Sequence, residues 1–213
     1  MLSEELKSRI LHAARTVPAP TRAVESKRAV WLIGGAVLAS LVAYLALGGV
    51  RLTNRPTSLV MGTVAGTATI AALAIWAALG RGRAMPGRTS DGLTAIAIAS
   101  PLALFVWKIF WSAAYDHGLD PWPLRPGLRC LAMSLTLGAL PLASLLFTRR
   151  GTDAVHPGRA GMGMGAALGL GVAALVDAWC PVAYVPHLLL GHILPLAVFG
   201  AAGLWFGRKI LAP

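Results

Sequence analysis

Cys130 and Cys180 are the only two cysteines in this chain of 213 residues, and they are its most reactive side chains. A thiolate binds soft metals and is the first group oxidised when an oxidant reaches it. Other ligand-capable groups stand near them in sequence. Asp177 precedes Cys180 by about one helical turn, and His187 and His192 follow it. Cys130, Cys180, Asp177, His187 and His192 are therefore candidate metal ligands. No Cys-x-x-Cys or His-Glu-x-x-His spacing occurs among them, so no metal is assigned and no cofactor is expected. Catalytic patterns are missing as well: there is no supported Ser-His-Asp arrangement, no pair of aspartates within an apolar segment and no Walker loop. Gly161-Met-Gly-Met-Gly looks like a dinucleotide loop only on paper, because no strand precedes it and it opens an apolar helix. An enzyme is not expected.

The elements that must position these residues are helices of membrane length. Hydrophobic residues make up 56% of the chain and charged residues 13%, too apolar a balance for an ordinary soluble domain. Six apolar stretches, near 29–49, 58–80, 92–114, 128–148, 159–180 and 186–206, each reach the ~20 residues that ~30 Å of hydrocarbon requires. The fold class expected is all-α, an integral membrane bundle of six transmembrane helices behind a 28-residue tail. Short connections force neighbouring helices to run antiparallel. The net charge of +11 would suit nucleic acid if it were gathered on one soluble face, but it is distributed by loop. Lys7, Arg9, Arg15, Arg22, Lys27, Arg28, Arg81, Arg83, Arg88, Arg149, Arg150, Arg159, Arg208 and Lys209 fall on one side, against Arg51, Arg55, Arg125 and Arg129 on the other. Cytoplasmic loops retain Lys and Arg, which puts both termini in the cytoplasm and makes direct nucleic-acid binding unexpected. Trp31, Trp76 and Trp205 then sit at inner ends, and Tyr44, Trp111, Tyr115, Trp122, Trp179 and Tyr184 at outer ends, where amphipathic rings favour the headgroup level.

That topology brings both sulfurs to the outer face, Cys130 opening the fourth helix and Cys180 closing the fifth. A disulfide is the plain expectation in an oxidising periplasm, and a thiol pair whose state is sensed is the sharper one. Lys108 lies about two turns, roughly 10 Å, below the outer end of the third helix. A charge at that depth needs a partner, Asp177 or Asp116, or else a route outward along its own stem. Asp116 and His117 close the third helix.

The tail has a logic of its own. Ser3 to Thr16 reads as a helix with Ser3 as N-cap and Pro18 and Pro20 as terminators, and Val17 to Lys27 as an extended linker. Leu2, Leu6, Ile10, Leu11 and Ala14 recur on one face. Such a helix lies on anionic lipid or docks a cytoplasmic protein. Gly161, Gly165 and Gly169, with Gly62 and Gly66, mark close helix approach; internal packing is the main reading and homodimerisation the lesser one.

These features resemble the NrsF-type six-helix anti-sigma factors, whose layout the CarR-type light-response regulators share. The resemblance is carried by the short Leu/Arg tail ending in prolines (Leu6 to Pro20), Pro86-Gly87-Arg88, Cys130, Pro157-Gly-Arg-Ala-Gly161, Cys180-Pro181, His187 and Gly207-Arg-Lys209. It implies a bacterial inner-membrane protein that holds an extracytoplasmic-function sigma factor and releases it when the outer face senses a stimulus. By that likeness Cys130 and Cys180 are the sensing pair, and Leu6, Arg9, Ile10, Leu11 and Arg15 contact the sigma factor. With so short a tail, inner loops bearing Arg81, Arg83, Arg149 and Arg150 would supply further contact. A small-solute or metal exporter is the alternative, prompted by Pro101, Pro141 and Pro195 inside apolar helices.

Overall fold

The computed structural model describes residues 22–50, 57–80, 91–114, 127–151, 156–180, 182 and 184–212. Among them every regular element is helical. The helices are α1 (Arg22–Ala46), α2 (Thr57–Gly80), α3 (Asp91–Ala114), α4 (Leu128–Thr148), α5 (Pro157–Trp179) and α6 (Val185–Ile210). Within α6, the segments Val185–Leu188 and Leu194–Ile210 flank a π-helical turn, Leu189–Ile193. Four of the six, α1 from Lys27 onward, α4, α5 and α6, are long and apolar enough to cross a membrane; α2 and α3 carry shorter apolar runs, Val60–Ile75 and Ile98–Phe110.

Helix α1 starts at Arg22, inside the stretch expected to be extended linker. Arg, Ala, Glu and Lys between Arg22 and Arg28 are good helix formers, so the apolar helix propagates backwards through them toward Pro20. The expected tail helix, with Leu6, Arg9, Ile10, Leu11 and Arg15, lies outside the described residues. So do Arg81, Arg83, Asp116 and His117.

Helix α5 is the axis of the bundle, buried along nearly its whole length. Its composition explains that position. Gly and Ala at most positions let neighbours approach to backbone distance from several sides, which is how helices gain contact where hydrophobic driving force is weak. The closest approach is to α6. A Cβ placed on Gly161 would run into the Gly203 carbonyl, and one placed on Gly203 would run into the Gly161 carbonyl. Gly165 meets the Phe199 backbone in the same manner, and Gly169 faces Leu196. The Gly161–Gly165–Gly169 series thus serves internal packing. Gly62 and Gly66 differ, since nothing lies within 4 Å of where their Cβ atoms would be.

The core is a belt of Met133, Leu137, Leu145, Leu146, Met164, Leu168, Val176 and Phe199 between α4, α5 and α6. Helix α1 lies against α4, where the Ser40 hydroxyl donates to the Leu137 carbonyl at 2.7 Å. Much of its remaining surface turns outward, Leu38, Val42 and Leu45 being exposed, as are Ile98, Leu102 and Phe110 of α3. Trp31 and Trp205 are exposed at 77% and 54%, as rings in an interfacial belt should be. Tyr44 and Trp179 depart from that expectation and are buried. Trp179 satisfies its indole by donating to the Leu47 carbonyl at 3.0 Å, and the Arg129 guanidinium stands 5.9 Å from its ring centroid.

The two ends of the bundle differ in chemistry. At one end Gly151 N–H donates to the Ile210 carbonyl, and Arg149, Arg150, Arg159, Arg208 and Lys209 gather there. At the other end the start of α4, the end of α5 and the start of α6 converge, and the two cysteines lie among them.

Candidate functional site

Three helix ends build the site. Cys130 sits in the first turn of α4, Cys180 caps the C-terminus of α5, and His187 and His192 come from the first turns of α6. All four are buried, Cys130 and Cys180 to 2% exposure, His187 to 4% and His192 to 1%. Both thiols lie at the end of the bundle opposite the basic residues, beneath its surface, with the start of α6 folded over them.

Local sequence explains how α6 does so. Gly127, at φ 89°, precedes α4 in the left-handed region that glycine adopts without strain. A Cβ there would stand 2.8 Å from the His187 carbonyl oxygen and 2.9 Å from the Gly191 nitrogen. Gly191 is the reciprocal gap: its Cβ would stand 2.9 Å from that of Cys130. Two glycines therefore let the start of α4 press onto the start of α6. The π turn adds the second adjustment. Pro195 has no N–H to continue the ordinary ladder, and Leu194 N–H reaches back five residues to the Leu189 carbonyl. The extra residue in that turn turns His192 inward beside Asp177. Single π turns of this sort concentrate at functional positions.

The contacts form one connected set. His187 Nε2 lies 3.5 Å from Cys130 Sγ and 3.2 Å from Cys180 Sγ, and neither sulfur is in a disulfide. His192 Nδ1 lies 2.7 Å from Asp177 Oδ1, and the same carboxylate oxygen meets the Lys108 ammonium from α3. A carboxylate is acceptor-only, so His192 must donate from Nδ1. In the neutral imidazole Nε2 then carries the lone pair, and that atom has no hydrogen-bond partner among the described residues. One ligand atom from each of Cys130, Cys180, His187 and His192 lies within 4.8 Å of all the others. Asp177, expected as a possible ligand, faces Lys108 and His192 instead. Lys108 meets Asp177, one of the two carboxylates weighed for it; the other, Asp116, lies outside the described residues.

Sequence similarity places this cluster in a family. The family described as negative regulator of sigma F, NrsF, matches residues 13–212, nearly the full chain. The chain belongs to the NrsF family. The family's name implies a negative regulator of a sigma factor, and a regulatory family of that kind suggests a protein other than an enzyme. Neither the curated proteins nor the solved structures yield a match. In this NrsF protein the match spans all six helices, so the cluster, the glycine seam and the basic end all fall within it.

Sequence reasoning named Cys130, Cys180, His187, His192, Asp177 and Lys108, and the fold draws all six together. It missed Gly127 and Gly191, which set the approach of α4 to α6. The signal was available only in part: Gly191 beside His192 with Pro195 soon after marks an irregular helix, but Gly127 reads as an ordinary loop glycine.

Proposed function

We propose that this protein is a six-span membrane anti-sigma factor with both termini in the cytoplasm, holding an extracytoplasmic-function sigma factor at the bacterial inner membrane. Family membership is the observation that carries the reading. Two features support the membrane setting: broad apolar faces on α1 and α3 that water would not tolerate on a soluble domain, and basic residues gathered at one end of the bundle. The tail residues Leu6, Arg9, Ile10, Leu11 and Arg15, helped by Arg81, Arg83, Arg149 and Arg150, would contact the sigma factor. Cys130 and Cys180 at the opposite end would sense the stimulus, with a disulfide as one form of the sensed state. Release then requires two helix arrangements, and a ligand must favour one of them by ~5.5 kcal/mol to carry the population from 1:99 to 99:1.

The test is capture of the sigma factor by the full chain solubilised in detergent, followed by reporter transcription in cells. Wild type should retain a single sigma factor, and Leu6→Asp with Ile10→Asp should release it and raise transcription. Repeated capture of none would sink the proposal.

The buried Lys108–Asp177–His192 set favours one second reading, a proton- or metal-coupled exporter, since ionisable groups at membrane depth often mark a transport path. Vesicle flux that disappears in both Lys108→Ala and Asp177→Ala would support it; no flux from wild type would exclude it.

A further inference from the structure

We propose that Cys130, Cys180, His187 and His192 form a Cys2His2 site for a tetrahedral cation of the zinc(II) class. Four independent features of the cluster point that way.

The first is ligand type: two thiols and two imidazoles are the set preferred by zinc and unsuited to calcium or magnesium. The second is spacing. A tetrahedral zinc with Zn–S near ~2.3 Å and Zn–N near ~2.0–2.1 Å holds its ligand atoms roughly 3.3–3.8 Å apart. His187 Nε2 already stands 3.5 and 3.2 Å from the two sulfurs, and all four ligand atoms lie within 4.8 Å. Closing the remainder takes about 1 Å of side-chain movement.

The third feature is His192 itself. Its Nε2 is fully buried and unsatisfied among the described residues, an arrangement that is costly unless something fills it. Asp177 holds the opposite nitrogen at 2.7 Å, which selects the tautomer whose Nε2 lone pair is available. Carboxylate–histidine–zinc series are built in this way. The fourth is charge. Binding displaces one proton from each thiol, and the two thiolates then neutralise the dication while both imidazoles stay neutral. The complete site carries no net charge, and the adjoining Lys108–Asp177 pair carries none either. A buried site at membrane depth tolerates such a balance.

Bound there, the cation would tie the start of α4 to the end of α5 and the start of α6. Its role in release rests on the anti-sigma reading above; its existence does not.

The experiment uses the full chain, purified reduced in detergent, with cobalt(II) and zinc(II) as probes. Metal content by mass spectrometry should approach one zinc per chain. Cobalt should give thiolate-to-metal charge transfer and the visible bands of a tetrahedral centre as it binds with release of two protons, and zinc should displace it with no further proton release. His192→Ala and Cys130→Ser should weaken binding by at least 100-fold. The near-isosteric Asp177→Asn, which leaves all four ligands in place, should weaken it 10–100-fold. Wild type that gives no charge-transfer band would overturn the site, as would equal affinity in wild type and His192→Ala. That readout needs no sigma factor. Metal binding without sigma capture would defeat the regulatory reading alone, and sigma capture without metal binding would defeat this site alone.

Discussion

Lys108 is buried on α3, and its ammonium meets a carboxylate that is itself 3% exposed. Neither charge could stay at that depth without the other. Removing one partner leaves an uncompensated buried charge, a change that costs about 3–5 kcal/mol. Lys108→Ala should therefore lower the thermal unfolding midpoint in detergent sharply, while Lys108→Ala combined with Asp177→Ala should recover much of the loss. A double mutant no better than Lys108→Ala would show that the pair is not coupled. Trp179 makes a smaller claim. Its indole N–H donates to the Leu47 carbonyl, and Trp179→Phe should cost about 1 kcal/mol in the same melt. These two residues show how buried polar groups register the ends of separate helices against one another.

At the scale of elements, the glycine seam between α5 and α6 decides the bundle. Gly161 and Gly203 place backbone against backbone, so any side chain there must push two helices apart. Overpacking of this kind typically costs 1–3 kcal/mol, and Gly203→Val should destabilise by about that amount or more, with fewer folded molecules recovered by size-exclusion chromatography. Gly62→Val and Gly66→Val, on a face with open space, should change the melt little; a large effect there would instead reveal a second copy seated on α2. The contact between Gly191 and Cys130 makes a different prediction. Gly191→Ala keeps the helix but forces its Cβ against that of Cys130, so the fold should survive while the rate of thiol modification by a small maleimide rises several-fold. An unchanged rate would mean that the π turn, not the glycine, holds the thiols closed.

For the molecule as a whole, the two ends of the bundle are chemically opposite, one basic and the other bearing sulfur and imidazole. A membrane-impermeant thiol reagent applied to intact cells, after mild opening of the bundle with detergent below solubilising levels, should label Cys130 and Cys180 from outside. Labelling restricted to inverted vesicles would reverse the proposed orientation. The expectation of no cofactor gives way here to a proposed metal, because convergence of the ligands was not visible along the chain. Cys130 and Cys180 are fifty residues apart, and the packing of α4, α5 and the start of α6 on one another sets the distance between them.

Composition and hydrophobic length alone determined the all-helical class of the described residues and the identity of the reactive side chains, since each depends on local sequence. The early start of α1 followed a local rule as well, good helix formers running back toward a proline. Which carboxylate meets Lys108, which nitrogen of His192 is left over, and how deeply the thiols lie were decided by tertiary structure. Those outcomes depend on how closely two backbones approach. In this protein that approach is governed by glycines whose effect appears only when the opposing helix is in place.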